Sequence, residues 1–166
     1  MKNVIIYLSV FFLYIICAAV SCEKKESEIC HTVIRFSNNS ENDLYIRSVL
    51  GNKGHPITLE LSYYHNTILT QYKVVSGEQN NRRATDNNTC YEHVFERNST
   101  PDTLKFYVLD AYVVENTPWD IVARDYLVLK RYDLSLEDLQ KLNWRVTYPP
   151  TEEMKDVEQY PPYGSE

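Results

Sequence analysis

Ile57-Thr58-Leu59-Glu60-Leu61-Ser62-Tyr63 is apolar at every odd position and polar at every even one. That period of two is the signature of a strand with one face in a core and the other in water. The same alternation recurs on both sides. Ile34 and Phe36 alternate with Val33, Arg35 and Ser37, and Leu44 and Ile46 face away from Tyr45 and Arg47. Leu104, Phe106 and Val108 repeat it within residues 103–109, and further strands are expected over 68–75, 91–95, 126–132 and 144–148. Turn clusters separate these segments: Ser37-Asn38-Asn39-Ser40, Gly51-Asn52-Lys53-Gly54 and Asn98-Ser99-Thr100-Pro101-Asp102. Short strands at such spacing predict a mostly β domain, a two-layer antiparallel β-sandwich.

One or two short helices are expected near the C-terminal end. Thr117-Pro118-Trp119-Asp120 places a capping Thr, a Pro at the first helical position and an acid soon after, predicting a turn through Arg124. Ser135 caps a second helix in the same way, and Leu136, Leu139 and Leu142 give it one apolar stripe for the end of the sandwich. Residues 77–89 are too polar to bury and read as a mobile loop between strands. After Tyr148 the chain carries Pro149-Pro150 and Pro161-Pro162, which favour extended geometry over a sheet, so residues 149–166 are expected as a strap or a loose tail.

At the other end, residues 4–20 hold a single polar side chain, Ser9, and follow Met1-Lys2-Asn3. Small residues, Ala19 and Ser21, precede Cys22. A short basic start, an apolar stretch and small residues before a cut site make an export signal, which assigns residues 1–21 to a leader. Residues 22–29 then form a charged tether, residues 30–148 the β domain and 149–166 the Pro-rich tail. The leader carries one Lys and no acid, so the formal charge of −6 falls to −7 on its removal. An acidic chain without a basic run argues against nucleic acid as a partner.

Ala19-Val20-Ser21-Cys22 resembles the bacterial lipobox, in which the Cys is acylated before cleavage. Palmitate-type acylation at Cys22 would hold the domain on a membrane without crossing it, since two or three chains suffice for stable anchoring. It also leaves Cys30 and Cys90 as an even pair, free to bond in an oxidising compartment or to remain buried thiols. The acidic segment after Cys22 resembles the surface-export signal of lipoproteins in gut Bacteroides relatives. The expected address is the cell envelope, at the outer membrane.

Motifs for catalysis are scarce. There is no GxSxG, HExxH, Walker or dinucleotide-binding string, and only four Gly. His31, His55, His65 and His93 share no helical or strand-neighbour spacing, and Asp110, Asp120, Asp125 and Asp133 fit turns and caps. No cofactor or metal is expected. Tyr is the one compositional excess, at fourteen residues. Tyr63, Tyr64, Tyr107 and Tyr112 are the candidates for an aromatic binding surface, against the simpler account that Tyr favours strands.

Leu127-Val128-Leu129-Lys130-Arg131-Tyr132-Asp133-Leu134-Ser135, Leu139-Gln140-Lys141-Leu142-Asn143-Trp144 and Thr147-Tyr148-Pro149-Pro150-Thr151 resemble an uncharacterised group of small Bacteroidales lipoproteins, and Ile34-Arg35-Phe36-Ser37-Asn38-Asn39-Ser40 fits it as well. The resemblance implies the anchor and the host class, and no activity or site residues. Within that pattern Trp144 is expected to cover the junction of helix and sheet, near Trp119, Phe106 and Leu139. The expected function is a non-enzymatic envelope module that binds a protein or a glycan. The alternatives are a small hydrolase built from His65 or His93 with the strand-end aspartates, or a structural subunit of a surface assembly.

Overall fold

A computed structural model describes residues 30–51, 72–83, 89–97 and 102–165. The chain runs β1 (Val33–Asn38), β2 (Leu44–Gly51), β3 (Lys73–Val74), β4 (Gln79–Arg83), α1 (Tyr91–Arg97), β5 (Thr103–Asp110), α2 (Ala111–Asn116), α3 (Trp119–Arg124), β6 (Lys130–Leu134), α4 (Leu136–Lys141), β7 (Arg145–Tyr148), a 3-10 turn (Glu152–Met154) and β8 (Glu158–Tyr160). The strands form two sheets, of order β4-β1-β7 and β3-β2-β5-β6-β8. Pairing is antiparallel throughout except between β1 and β7, which run parallel.

Alternation builds the core as the sequence expects. Ile34 and Phe36 of β1 and Val146 of β7 are fully buried, and they join one cluster with Leu44 and Ile46 of β2, Leu104, Phe106 and Val108 of β5, and Tyr132 and Leu134 of β6. Polar groups also tie the sheets together. The Tyr132 hydroxyl donates to the Thr147 carbonyl at 2.8 Å, and the fully buried Asn38 side chain donates to the carbonyls of Asn42 and Val74. Leu139 and Leu142 of the α4 stripe close one end of this core.

The odd-numbered residues of β5 are buried as well, because α2 and α3 cover part of the sheet's far face. Tyr45, Tyr107 and Leu109 pack there against Ala111, Val114, Val122 and Ala123. Trp119 belongs to this second cluster, so it does not join Trp144, whereas Phe106 and Leu139 do.

Several expected elements differ. Residues 91–95 form the start of helix α1, not a strand: Tyr91 and Val94 are buried three apart, and Val94 N–H donates to the Cys90 carbonyl in helical register. Tyr126 lies in a turn, at φ 50°, residues 127–129 are irregular, and the strand begins at Lys130. Helix α2 has no counterpart in the sequence reading, although Asp110 caps it by accepting from Val113 N–H at 3.1 Å. Helix α3 starts one residue later than expected, because Thr117 closes α2 and Pro118 takes the extended N-cap conformation. Ser135 and Asp138 form a reciprocal capping box on α4.

Within the supposed polar loop, Gln79–Arg83 is a strand paired with β1. Its backbone is satisfied by β1, so the polar side chains need no core. The tail packs back: Met154 and Val157 are buried, β8 pairs with β6 between the two Pro pairs, and the buried Lys130 ammonium donates to the Pro161 and Pro162 carbonyls. The 57–63 segment, like the leader and tether, lies outside the described residues.

Candidate functional site

The smaller sheet turns an open face to solvent. Because Ile34, Phe36 and Val146 point inward, Arg35, Ser37, Arg145 and Thr147 must point outward. Arg35 pairs in register with Arg145, and Ser37 with Thr147. Neighbouring strands lie about 4.8 Å apart, so the two arginine side chains leave the same face of the sheet as direct neighbours. Among the described residues neither has a side-chain hydrogen-bond or ion-pair partner. Like charges directly opposite are destabilising.

Two recesses flank the pair. One, of about 440 Å³, runs past Ser37, Gln79, Thr147 and Glu153, and the other, of about 300 Å³, is walled by His31, Asn143 and Trp144. Arg35 and Arg145 line both. Together they match the size of ordinary small-ligand sites.

The second wall is assembled from remote segments. Cys30 and Cys90 are joined by a disulfide across a sequence separation of 60, which brings the start of β1 against α1. His31 and Glu92 follow directly. Glu92 accepts from the His31 backbone N–H at 2.9 Å and pairs with the ring Nδ1. Burial pushes the Glu92 carboxyl up, but the hydrogen bonds from His31 outweigh it and hold the group below the ordinary carboxylate value. With Glu92 ionised, Nδ1 is the ring nitrogen that donates to its carboxylate. The imidazole stacks on Trp144, centroids 4.3 Å apart.

Trp144 is held there by an unusual turn. Asn143 and Trp144 both have positive φ, 49° and 59°, just after α4. Left-handed backbone costs a residue with a Cβ roughly 1–2 kcal/mol. The turn is secured by Trp144 N–H donating to the Leu139 carbonyl at 2.8 Å and by Arg35 N–H donating to the Trp144 carbonyl at 2.9 Å. It aims the indole under His31 and delivers Arg145 beside Arg35.

The residues singled out in the sequence fall elsewhere. Tyr107 is fully buried beneath the helices while Tyr112 is 75% exposed, so they share no surface; Tyr63, Tyr64, His55 and His65 lie outside the described residues. Asp110 caps α2, Asp125 pairs with Arg124, and Asp133 pairs with Arg131, each a local structural contact. Among the described residues no three or more His, Cys, Asp or Glu gather as a metal site. The His31–Glu92 pair escaped the sequence reading, although a Cys30–Cys90 bond makes their neighbourhood nearly unavoidable. The Arg pair escaped because alternation shows which way a side chain points, and not which strand lies beside it.

Comparison with protein-family models, curated proteins and solved structures finds no match.

Proposed function

We propose that the protein is a lipid-anchored module of the cell envelope, a β-sandwich that binds its ligand on the outer face of the smaller sheet and performs no chemistry on it. The in-register Arg35–Arg145 pair carries this reading: an acidic chain sets two unpartnered cations side by side where a ligand's negative charge would relieve their repulsion. Acylation at Cys22 supplies the anchor, residues 23–29 the tether, and the outer membrane the address. The ligand is an envelope protein or glycan.

The test uses the intact lipoprotein. Wild type is expected in the membrane fraction and Cys22→Ser in the soluble fraction. Capture from the organism's own envelope should recover a ligand that the Arg35→Gln/Arg145→Gln double variant fails to hold. Equal capture by both proteins would overturn the assignment of the face.

A carboxylate-oriented imidazole beside an anion-binding pair also favours a small hydrolase with His31 as general base, in place of the His65 or His93 arrangement. Turnover of ester or glycoside substrates that His31→Gln abolishes would establish that alternative.

A further inference from the structure

Resting on the assignment of this face as the binding surface, we infer that its ligand is an acidic glycan, a uronate-bearing sugar chain whose carboxylate bridges Arg35 and Arg145. The guanidinium fork matches a carboxylate in two parallel hydrogen bonds, and two forks in register offer both oxygens a partner. A carboxylate alone does not fill the recesses. Their remaining walls carry hydroxyl and amide groups, Ser37, Thr147, Gln79 and Asn143, the donors and acceptors that sugar hydroxyls need. The His31 ring, backed by Trp144 and with its side chain 37% exposed, adds a flat platform for a sugar face.

An acidic peptide fits less well. Peptides take hold of sheets by adding a strand at an edge; Arg145 is on the edge strand β7 but Arg35 is on the central strand β1, so a strand added beyond β7 would not lie between the two arginines. Apart from Val33, Leu142, Met154 and Trp144, the side chains that wall the recesses are polar or charged. Glu153 is the one acid lining them, at the end away from His31, and it would repel a second carboxylate placed there. The bridging carboxylate therefore belongs between the arginines, with neutral hydroxyls toward Thr147.

The test titrates the disulfide-intact full chain, in mild detergent, with a galacturonic acid trisaccharide, its methyl ester, triglutamate and inorganic phosphate. The acid trisaccharide should bind, and esterification should weaken it about tenfold or more, as loss of charge-assisted hydrogen bonds does. Arg35→Gln and Arg145→Gln should each cause a similar loss, and Arg35→Lys, which keeps charge but not the fork, a smaller one. Both arginines are exposed, so the variants should fold, which near-ultraviolet dichroism checks. Equal binding of the ester, tighter binding of triglutamate or phosphate, or indifference to the arginine variants would overturn the inference. If the arginine variants lose the captured envelope ligand while the trisaccharide fails to bind wild type, the binding face stands and the uronate is wrong. If they lose neither, both fall.

Discussion

The imidazole of His31 lies almost parallel to the indole of Trp144, at an interplanar angle of 17°. His31 immediately follows the disulfide that fixes Cys30 to Cys90, and Trp144 immediately precedes Arg145. One ring contact therefore joins the entry of the domain to the strand that supplies half of the arginine pair. Tyr91 completes the cluster, 5.6 Å from the indole.

Replacing Trp144 by Ala removes a side chain only 5% exposed and should cost about 3–5 kcal/mol of stability. Denaturant unfolding at a fixed pH checks this. An unchanged midpoint would mean that the indole is not packed as described.

The Cys30–Cys90 bond should contribute about 4 kcal/mol, because it closes a long loop in the unfolded chain. The Cys30→Ser/Cys90→Ser variant should show that loss, and reductant should lower the stability of wild type but not of the variant. Insensitivity of wild type to reductant would refute a bonded, stabilising pair.

Much of this fold was legible in the sequence, and the misses share a cause. The inward residues of β1, β2, β5 and β7 declare themselves because one face of each strand enters a core. Helix α2 hid because β5 runs straight into it, leaving no break at Asp110 that composition would mark. Strand β4 hid because its reason to exist is backbone pairing with β1, to which Gln79, Asn80 and Asn81 add no apolar signal. The site hid for a third reason: Arg35, Arg145, His31 and Glu92 are unremarkable singly, and only pairing and a disulfide bring them together.

Acid should expose the role of Glu92. Its folded value is depressed below 4.5, so it contributes stability that is fully present above that unfolded value and is lost as pH falls through the lower, folded one. Wild type should therefore lose more stability than Glu92→Gln between about pH 6 and about pH 3, by denaturant midpoint. Equal losses would show that the contact with His31 adds nothing to the folded state.

On the far face of the larger sheet, Arg131 and Asp133 make a buried pair, with Nε and Oδ1 2.8 Å apart but poorly aligned, and Nη2 donating to Oδ2 at 3.0 Å. Burial pushes the Asp133 carboxyl up, against the pull of Arg131 and Lys105, and it pushes the nearby Tyr126 hydroxyl to about 12, keeping that group protonated beside Arg131. A buried ion pair gains little over an apolar pair of similar volume, yet breaking it strands a charge at about 3–5 kcal/mol. Arg131→Met should be destabilised by that amount. Adding Asp133→Leu removes the stranded carboxylate, so the double variant should be more stable than the sum of the single losses by about 1 kcal/mol or more. Additive losses in that cycle would show that the two side chains do not act as a pair.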